Sequence, residues 1–143
     1  MNRLFLIVLI YIFFTTFAYA NTTYDVIISA LKNNTSQEEL VNVKNKYKGK
    51  KISGTGYISS IREPISTQRV IILSETKDSS GLQDIVNITA PQFLSSLEPN
   101  PHWDYIKKLR VGEKVNFEGD LFDIFADTIY IKEEVKINKA LDK

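Results

Sequence analysis

The apolar positions of this chain change their rhythm twice. From Met1 to Ala20 they are almost continuous: "MNRLFLIVLIYIFFTTFAYA" carries one charge, Arg3, ahead of an unbroken apolar run. From Tyr24 to Tyr47 they recur at helical spacing, with Tyr24, Ile27, Ile28 and Leu31 on one face of a first helix and Leu40, Val43 and Tyr47 on one face of a second. "NNTS" separates the two. Ser36-Gln37-Glu38-Glu39 has the form of a capping box, in which the Ser36 hydroxyl accepts from the Glu39 amide and the Glu39 carboxylate accepts from the Ser36 amide. Gly49 suits the end of the second helix because it tolerates the left-handed backbone. The pattern predicts an N-terminal helical segment over 21–48.

From Lys51 the period becomes two. "KISGTGYISSI" sets Ile52, Gly54, Gly56 and Ile58 on one side and Ser53, Thr55 and Tyr57 on the other. "RVIILSE" (69–75) and "DIVNITA" (84–90) read as a second and third strand, joined by the turn chemistry of "KDSSGLQ". Pro91 is suited to the first turn of a helix over "PQFLSSL", whose Phe93, Leu94 and Leu97 would cap a sheet. The proline-punctuated "EPNPHW" follows, then one or two helical turns from Trp103 to Leu109. "VNFEGDLFDIF" and "IYIKEEVKI" supply a fourth and fifth strand across "ADT". Three strands, a helix and two strands is the order of an OB-fold. The predicted class is therefore mainly β (α+β): a five-stranded Greek-key barrel over 49–137, after the helical segment and before a polar tail at 138–143. Gly54, Gly56 and Gly119 fit the bends of such a barrel. Val70, Ile72, Val86, Ile88, Val115, Phe117, Ile129 and Ile131 are its expected core.

The residues at these bends carry a resemblance. Lys48-Gly49-Lys50, the internal Gly54 and Gly56, and Val111-Gly112-Glu113-Lys114-Val115 followed by Gly119 form a frame that resembles the secreted, tRNA-anticodon-domain-like OB-fold proteins of bacteria. It covers roughly the last hundred residues, the length of one small barrel. The resemblance implies the fold and carries no catalytic residue across.

The ends and the charge narrow the function. The leading apolar run closes on Ala18-Tyr19-Ala20, the small-x-small pattern of a signal-peptidase site. The expectation is a signal peptide over 1–20 and a secreted or periplasmic protein with no membrane-spanning segment after cleavage; retention as an anchor is the alternative, since the run has nearly the spanning length of about 20 residues. The chain has no cysteine, which excludes disulfides, thiolate metal sites and cysteine nucleophiles. Of the 18 basic residues one is Arg3, and the other 17 match 17 acidic residues. Phosphate neutralisation dominates nucleic-acid binding, so a balanced charge argues against a nucleic-acid partner. The second and third strands also lack the aromatic residues on which single-stranded bases stack.

Catalytic chemistry finds little material. His102 is the one histidine, and a zinc site needs three or four clustered nitrogen or sulfur ligands. Asp120, Asp123 and Asp127 lack the spacing and glycine of an EF-hand loop. No Gly-x-Ser-x-Gly elbow occurs. Glu133 and Glu134, adjacent on a strand, are expected to point to opposite faces. The reading is a non-enzymatic binding module with no metal or cofactor, directed at an envelope protein or envelope ligand.

Two surfaces are candidates. The first is a sheet face with Tyr57, Arg69, Asn87 and Thr89, extended by the Pro99–Tyr105 loop, where Trp103 and Tyr105 are residue types that anchor interfaces; Trp103 equally fits a place in the barrel core. The second is the run of lysines 44, 46, 48, 50 and 51. Lys46, Lys48, Lys50 and Lys51 could grip single-stranded nucleic acid or an anionic lipid or glycan, and the same charges are favoured at a helix C-terminus without any ligand. A metal-dependent hydrolase is a third, weaker reading.

Overall fold

A computed structural model of the chain describes residues 23–33, 36–77, 85–94, 98–125 and 127–140. The expected signal peptide, Leu97 and all of the "KDSSGLQ" turn after Lys77 lie outside the described residues. Two helices lead, α1 (Thr23–Lys32) and α2 (Gln37–Tyr47). The capping box forms: the Glu39 amide donates to the Ser36 hydroxyl at 3.3 Å, and the Ser36 amide donates to the Glu39 carboxylate at 3.2 Å. Past the helix end Gly49 takes φ +75° and donates its amide to the Leu121 carbonyl at 2.8 Å, which swings the chain directly into the sheet.

Five strands follow: β1 (Lys51–Ile65), β2 (Gln68–Ser74), β3 (Val86–Pro91), β4 (Lys114–Phe125) and β5 (Thr128–Lys139), with the four-residue helix α3 (Trp103–Ile106) between β3 and β4. They close into a barrel in the order β1-β2-β3-β5-β4, the OB topology expected from the sequence. β1 is long enough to serve two neighbours. Its first half pairs with β4 from Lys51↔Asp120 to Tyr57↔Lys114, and its second half with β2 from Tyr57↔Ser74 to Ile65↔Gln68. The one parallel contact, β3 with β5 through Val86↔Ile129 and Ile88↔Ile131, completes the circle.

The interior is aliphatic. Ile52, Ile58, Ile71, Leu73, Ile88, Ile129, Ile131 and Ile137 are fully buried, each contributing about 1.5–3 kcal/mol through burial. From α1, Tyr24, Ile27 and Ile28 join this core, and from the segment around α3 so do Trp103, Ile106 and Leu109. The two helices are tied to opposite ends of β2: Lys32 of α1 pairs with Glu75 just beyond its last residue, and Arg69 near its first donates to the Ile106 carbonyl of α3.

Four expectations need correction. In β2 the inward residues are Ile71 and Leu73; Val70 is half-buried on the opposite face, and Ile72, on that face too, is buried as expected, at 6% exposed, but outside the core cluster. Four consecutive apolar residues carry no alternation from which to read a face. The segment from Pro91 does not open a helix: Pro91 ends β3, Phe93 makes an isolated bridge with Pro99, and Phe93 is exposed. Glu133 and Glu134 do not alternate across the sheet. Both take positive φ, +61° and +44°, in a bulge where β5 advances four positions, from Lys132 to Lys136, against two on β4, from Asp120 to Glu118. The bulge keeps Ile131 and Val135 both inward and leaves Lys132, Glu133 and Glu134 all exposed. Gly119 gives it room, since a Cβ there would come 2.5 Å from Ile131 Cγ2. Finally, the strand outlasts the expected barrel end: β5 runs to Lys139 and Ala140 is buried, its amide donating to the Lys114 carbonyl at 3.1 Å.

Candidate functional site

The residues of the first expected face are dispersed. Asn87 and Thr89 do share an outward face of β3, and register aligns Asn87 in a row that crosses all five strands: Ser60, Ile72, Asn87, Tyr130, Asp123. Tyr57 also points outward, at the place where β1 passes from β4 to β2, with the Lys114 ammonium 5.5 Å from its ring centroid. Arg69 is elsewhere. Its Nε donates to Glu63 at 2.7 Å and its Nη1 to the Ile106 carbonyl at 2.6 Å, and its side chain is only 14% exposed. It is a clamp on α3 rather than part of an open face.

The Pro99–Tyr105 loop is likewise structural. Trp103 is 8% exposed and belongs to the core, so the core reading of that residue holds and the interface-anchor reading does not. Tyr105 is half-buried against the same core; burial first, and the Glu113 carboxylate second, push its phenol pKa up. Asn100, which sequence reasoning passed over, is buried and pins the loop: its side-chain amide donates to the Pro91 carbonyl at 2.9 Å and its oxygen accepts from the His102 amide at 2.9 Å. An asparagine between two prolines was the available signal, because such residues bond their own backbone two positions on.

The lysine run is mostly engaged. Lys44 pairs with Asp123 at 2.6 Å, and that hydrogen bond, ahead of the Ile124 amide and the nearby lysine charges, holds the Asp123 carboxyl below its ordinary range against a smaller opposing effect of burial. Lys51 lies 3.7 Å from Glu118. Lys46 and Lys50 flank the Tyr47 ring at 5.2 and 5.6 Å, and Lys48 is the C-cap of α2. The helix end and its neighbours account for these charges.

A different surface has the form of a site. A groove of about 740 Å³ runs over the outward side of β1, β4 and β5 and is walled by α1 and the end of β2. That volume is within the ~300–1,000 Å³ of ligand pockets. Its floor is set by register. Thr55 lies opposite Asn116, which lies opposite Asn138; Ser53 lies opposite Glu118, which lies opposite Lys136. The Thr55 hydroxyl donates to Asn116 Oδ1 at 2.6 Å. The charges are held in pairs: Lys136 donates to Glu118 at 3.3 Å, and Lys32 reaches Glu75 at 2.6 Å on the wall. Asp25 completes the rim from α1.

Beneath this floor the Tyr24 ring meets Phe117 edge-on. Burial, followed by the charges of Glu75 and Asp25, pushes the Tyr24 phenol pKa well up, so it stays a neutral hydroxyl. The groove thus offers neutral hydroxyl and amide donors and acceptors between balanced ion pairs. Among the described residues no group of three or more His, Asp or Glu side chains is arranged to hold a metal ion, and no helix is long and apolar enough to cross a membrane. The sequence hid the groove because its residues come from strands far apart in the chain. The signal was the polar half of each alternation, Ser53-Thr55 and Asn116-Glu118, which draws less attention than the apolar half.

No protein-family model and no curated protein matches the chain. Among solved structures it is similar to OBody AM1L10 bound to hen egg-white lysozyme, at 12% identity and a TM-score of 0.50, covering 70% of this chain and 87% of that one. A similar match is OBody AM3L15 bound to hen egg-white lysozyme, at 15% identity and a TM-score of 0.48, covering 72% and 89%. At such identity the first likeness shows the OB fold.

Proposed function

We propose that the chain is an exported, non-catalytic binding module that holds a polar ligand, or a polar segment of an envelope partner, in the groove between α1 and the β1-β4-β5 face. The observation that carries this reading is the groove floor, where Thr55, Asn116 and Asn138 stand side by side across three strands. Such side chains both donate and accept, and a rigid sheet fixes their spacing, which favours recognition by hydrogen bonding over charge. The floor lies on the face of a closed barrel rather than along a strand edge, so recognition there falls to side chains. OBody AM1L10, a barrel of similar fold, is bound to a protein in its solved structure, which supports a binding use of such a fold. Export rests on the apolar leader ending at Ala20.

The test is site-directed photocrosslinking in intact cells. A photoreactive residue at Ser53 or Asn138 is expected to give one discrete adduct that Asn116→Trp, which fills the groove, abolishes. The same probe at Glu134, on the exposed bulge, is expected to give none. Adducts from Glu134 but not from the groove positions would overturn the assignment. Fractionation of cells expressing the chain with and without residues 1–20 checks export separately.

A further inference from the structure

We infer that a second, basic pocket next to the groove binds a phosphate group. Strand ends meet where β1 changes partners at Tyr57. Lys77 follows β2, Lys114 opens β4 and Lys139 closes β5, and the three line one pocket of about 230 Å³ together with Tyr57 and Glu113. Lys32, Lys44, Lys51, Lys107 and Lys136 each have a carboxylate partner; Lys77, Lys114 and Lys139 have none among the described residues. The one carboxylate on the pocket, Glu113, accepts from the Arg110 amide at 2.8 Å and offsets one of the three lysine charges, which leaves the pocket a positive excess. Three like charges around one small space repel each other, and a bound anion relieves that repulsion.

The chemistry of the pocket selects among anions. Its cations are all lysines, compact point charges without the planar fork with which arginine grips a carboxylate. Charge density, rather than bidentate shape, sets the preference, which favours a doubly charged phosphoryl group. The backbone does not add a cradle: the Gly112 amide is spent on the Ile58 carbonyl at 2.8 Å, and the Glu113 carbonyl accepts from the Ile58 amide at 2.8 Å. The pocket therefore reads the phosphate and leaves open what carries it. Tyr57 and Lys114 are paired two positions along from Thr55 and Asn116 on the same side of the sheet, so the pocket adjoins the groove. Its occupancy does not depend on what fills the groove.

The experiment has two arms that separate a soluble phosphoryl ligand from a lipid headgroup. Inorganic phosphate is titrated into the purified protein at constant ionic strength, with amide resonances as the readout. Vesicles of phosphatidylcholine, with and without phosphatidic acid, whose headgroup is a phosphate monoester, are used in co-sedimentation. Phosphate is expected to shift the resonances of Tyr57, Lys114 and Lys139. The triple variant K77Q/K114Q/K139Q is expected to weaken that binding by about tenfold, whereas K46Q/K48Q/K50Q leaves it unchanged. The single variant Lys114→Gln gives the same comparison if the triple variant fails to fold. Sedimentation with the anionic vesicles alone, lost in the pocket variant, identifies a headgroup; phosphate shifts without sedimentation identify a soluble ligand. Absence of both responses, or equal weakening by the two triple variants, overturns the inference.

Discussion

The Tyr24 ring stands edge-on to Phe117, centroids 5.3 Å apart and planes at 86°, and it fills the space above Gly54. A Cβ at Gly54 would come 2.6 Å from Tyr24 Cδ1 and 2.8 Å from Phe117 Cζ. The glycine in β1 is thus the seat of α1. Gly54→Val is expected to cost about 1–3 kcal/mol through overpacking, measured by urea unfolding. Because the nearest conflict is with the Tyr24 ring, Tyr24→Ala in the same chain should recover part of the loss, and strict additivity of the two changes would refute the contact.

Alkaline pH tests the environment of the same ring. The folded Tyr24 phenol has its pKa raised, by burial first and by Glu75 and Asp25 next. A raised folded pKa means that the contribution is fully present below the unfolded value, about 10, and is lost as pH rises through the folded one. Wild type should therefore lose stability above about pH 10 faster than Tyr24→Phe, which keeps the ring and removes the proton. Parallel urea midpoints for the two proteins across that range would contradict the assignment.

Acid pH tests the pair between α2 and β4. The Asp123 pKa is lowered, chiefly by the Lys44 hydrogen bond. Its contribution is present above the ordinary carboxylate value and fades as pH falls through the folded one. Both side chains are about one-third exposed, 32% and 31%, so the pair is worth about 0.2–1 kcal/mol. Asp123→Asn should be less stable than wild type by that amount near pH 7, and the two should converge as pH falls through the lowered folded value. Salt should shrink the difference at neutral pH.

Trp103→Ala addresses fold and function together. Trp103 is packed in the core with Ile106 and Leu109, and its truncation is expected to cost about 3–5 kcal/mol. A thermal unfolding midpoint close to that of wild type would show that the indole is not core. Any loss of partner binding by this variant reports on folding, so binding is better probed through Thr55 and Asn116.

The sequence made the barrel readable where its two faces differ in polarity. Ile52, Gly54, Gly56 and Ile58 alternate with Ser53, Thr55 and Tyr57, and the strand follows that alternation. Ser36 and Glu39 announced the start of α2 for a local reason, a bond between neighbours. Legibility failed where the deciding partner lies far off in the chain. "VIIL" in β2 could turn either face inward, and only the facing Ile61 and Ile88 choose Ile71. "IKEEV" in β5 keeps a period of two on paper, which would bury Glu133; two left-handed residues extrude both glutamates instead. The groove failed for the same reason, since the Thr55–Asn116 bond joins residues 61 apart.

That separation has a kinetic side. β1 cannot satisfy its first half until β4 is available, and β3 cannot close the ring until β5 is. The β1-β2 and β2-β3 pairs can form early, but the three relations that close the ring, β1 with β4, β4 with β5 and β3 with β5, wait for residues from Lys114 onward. Non-local pairing of this kind is slow to form, so the ring stays open until β5 has joined β3 and β4.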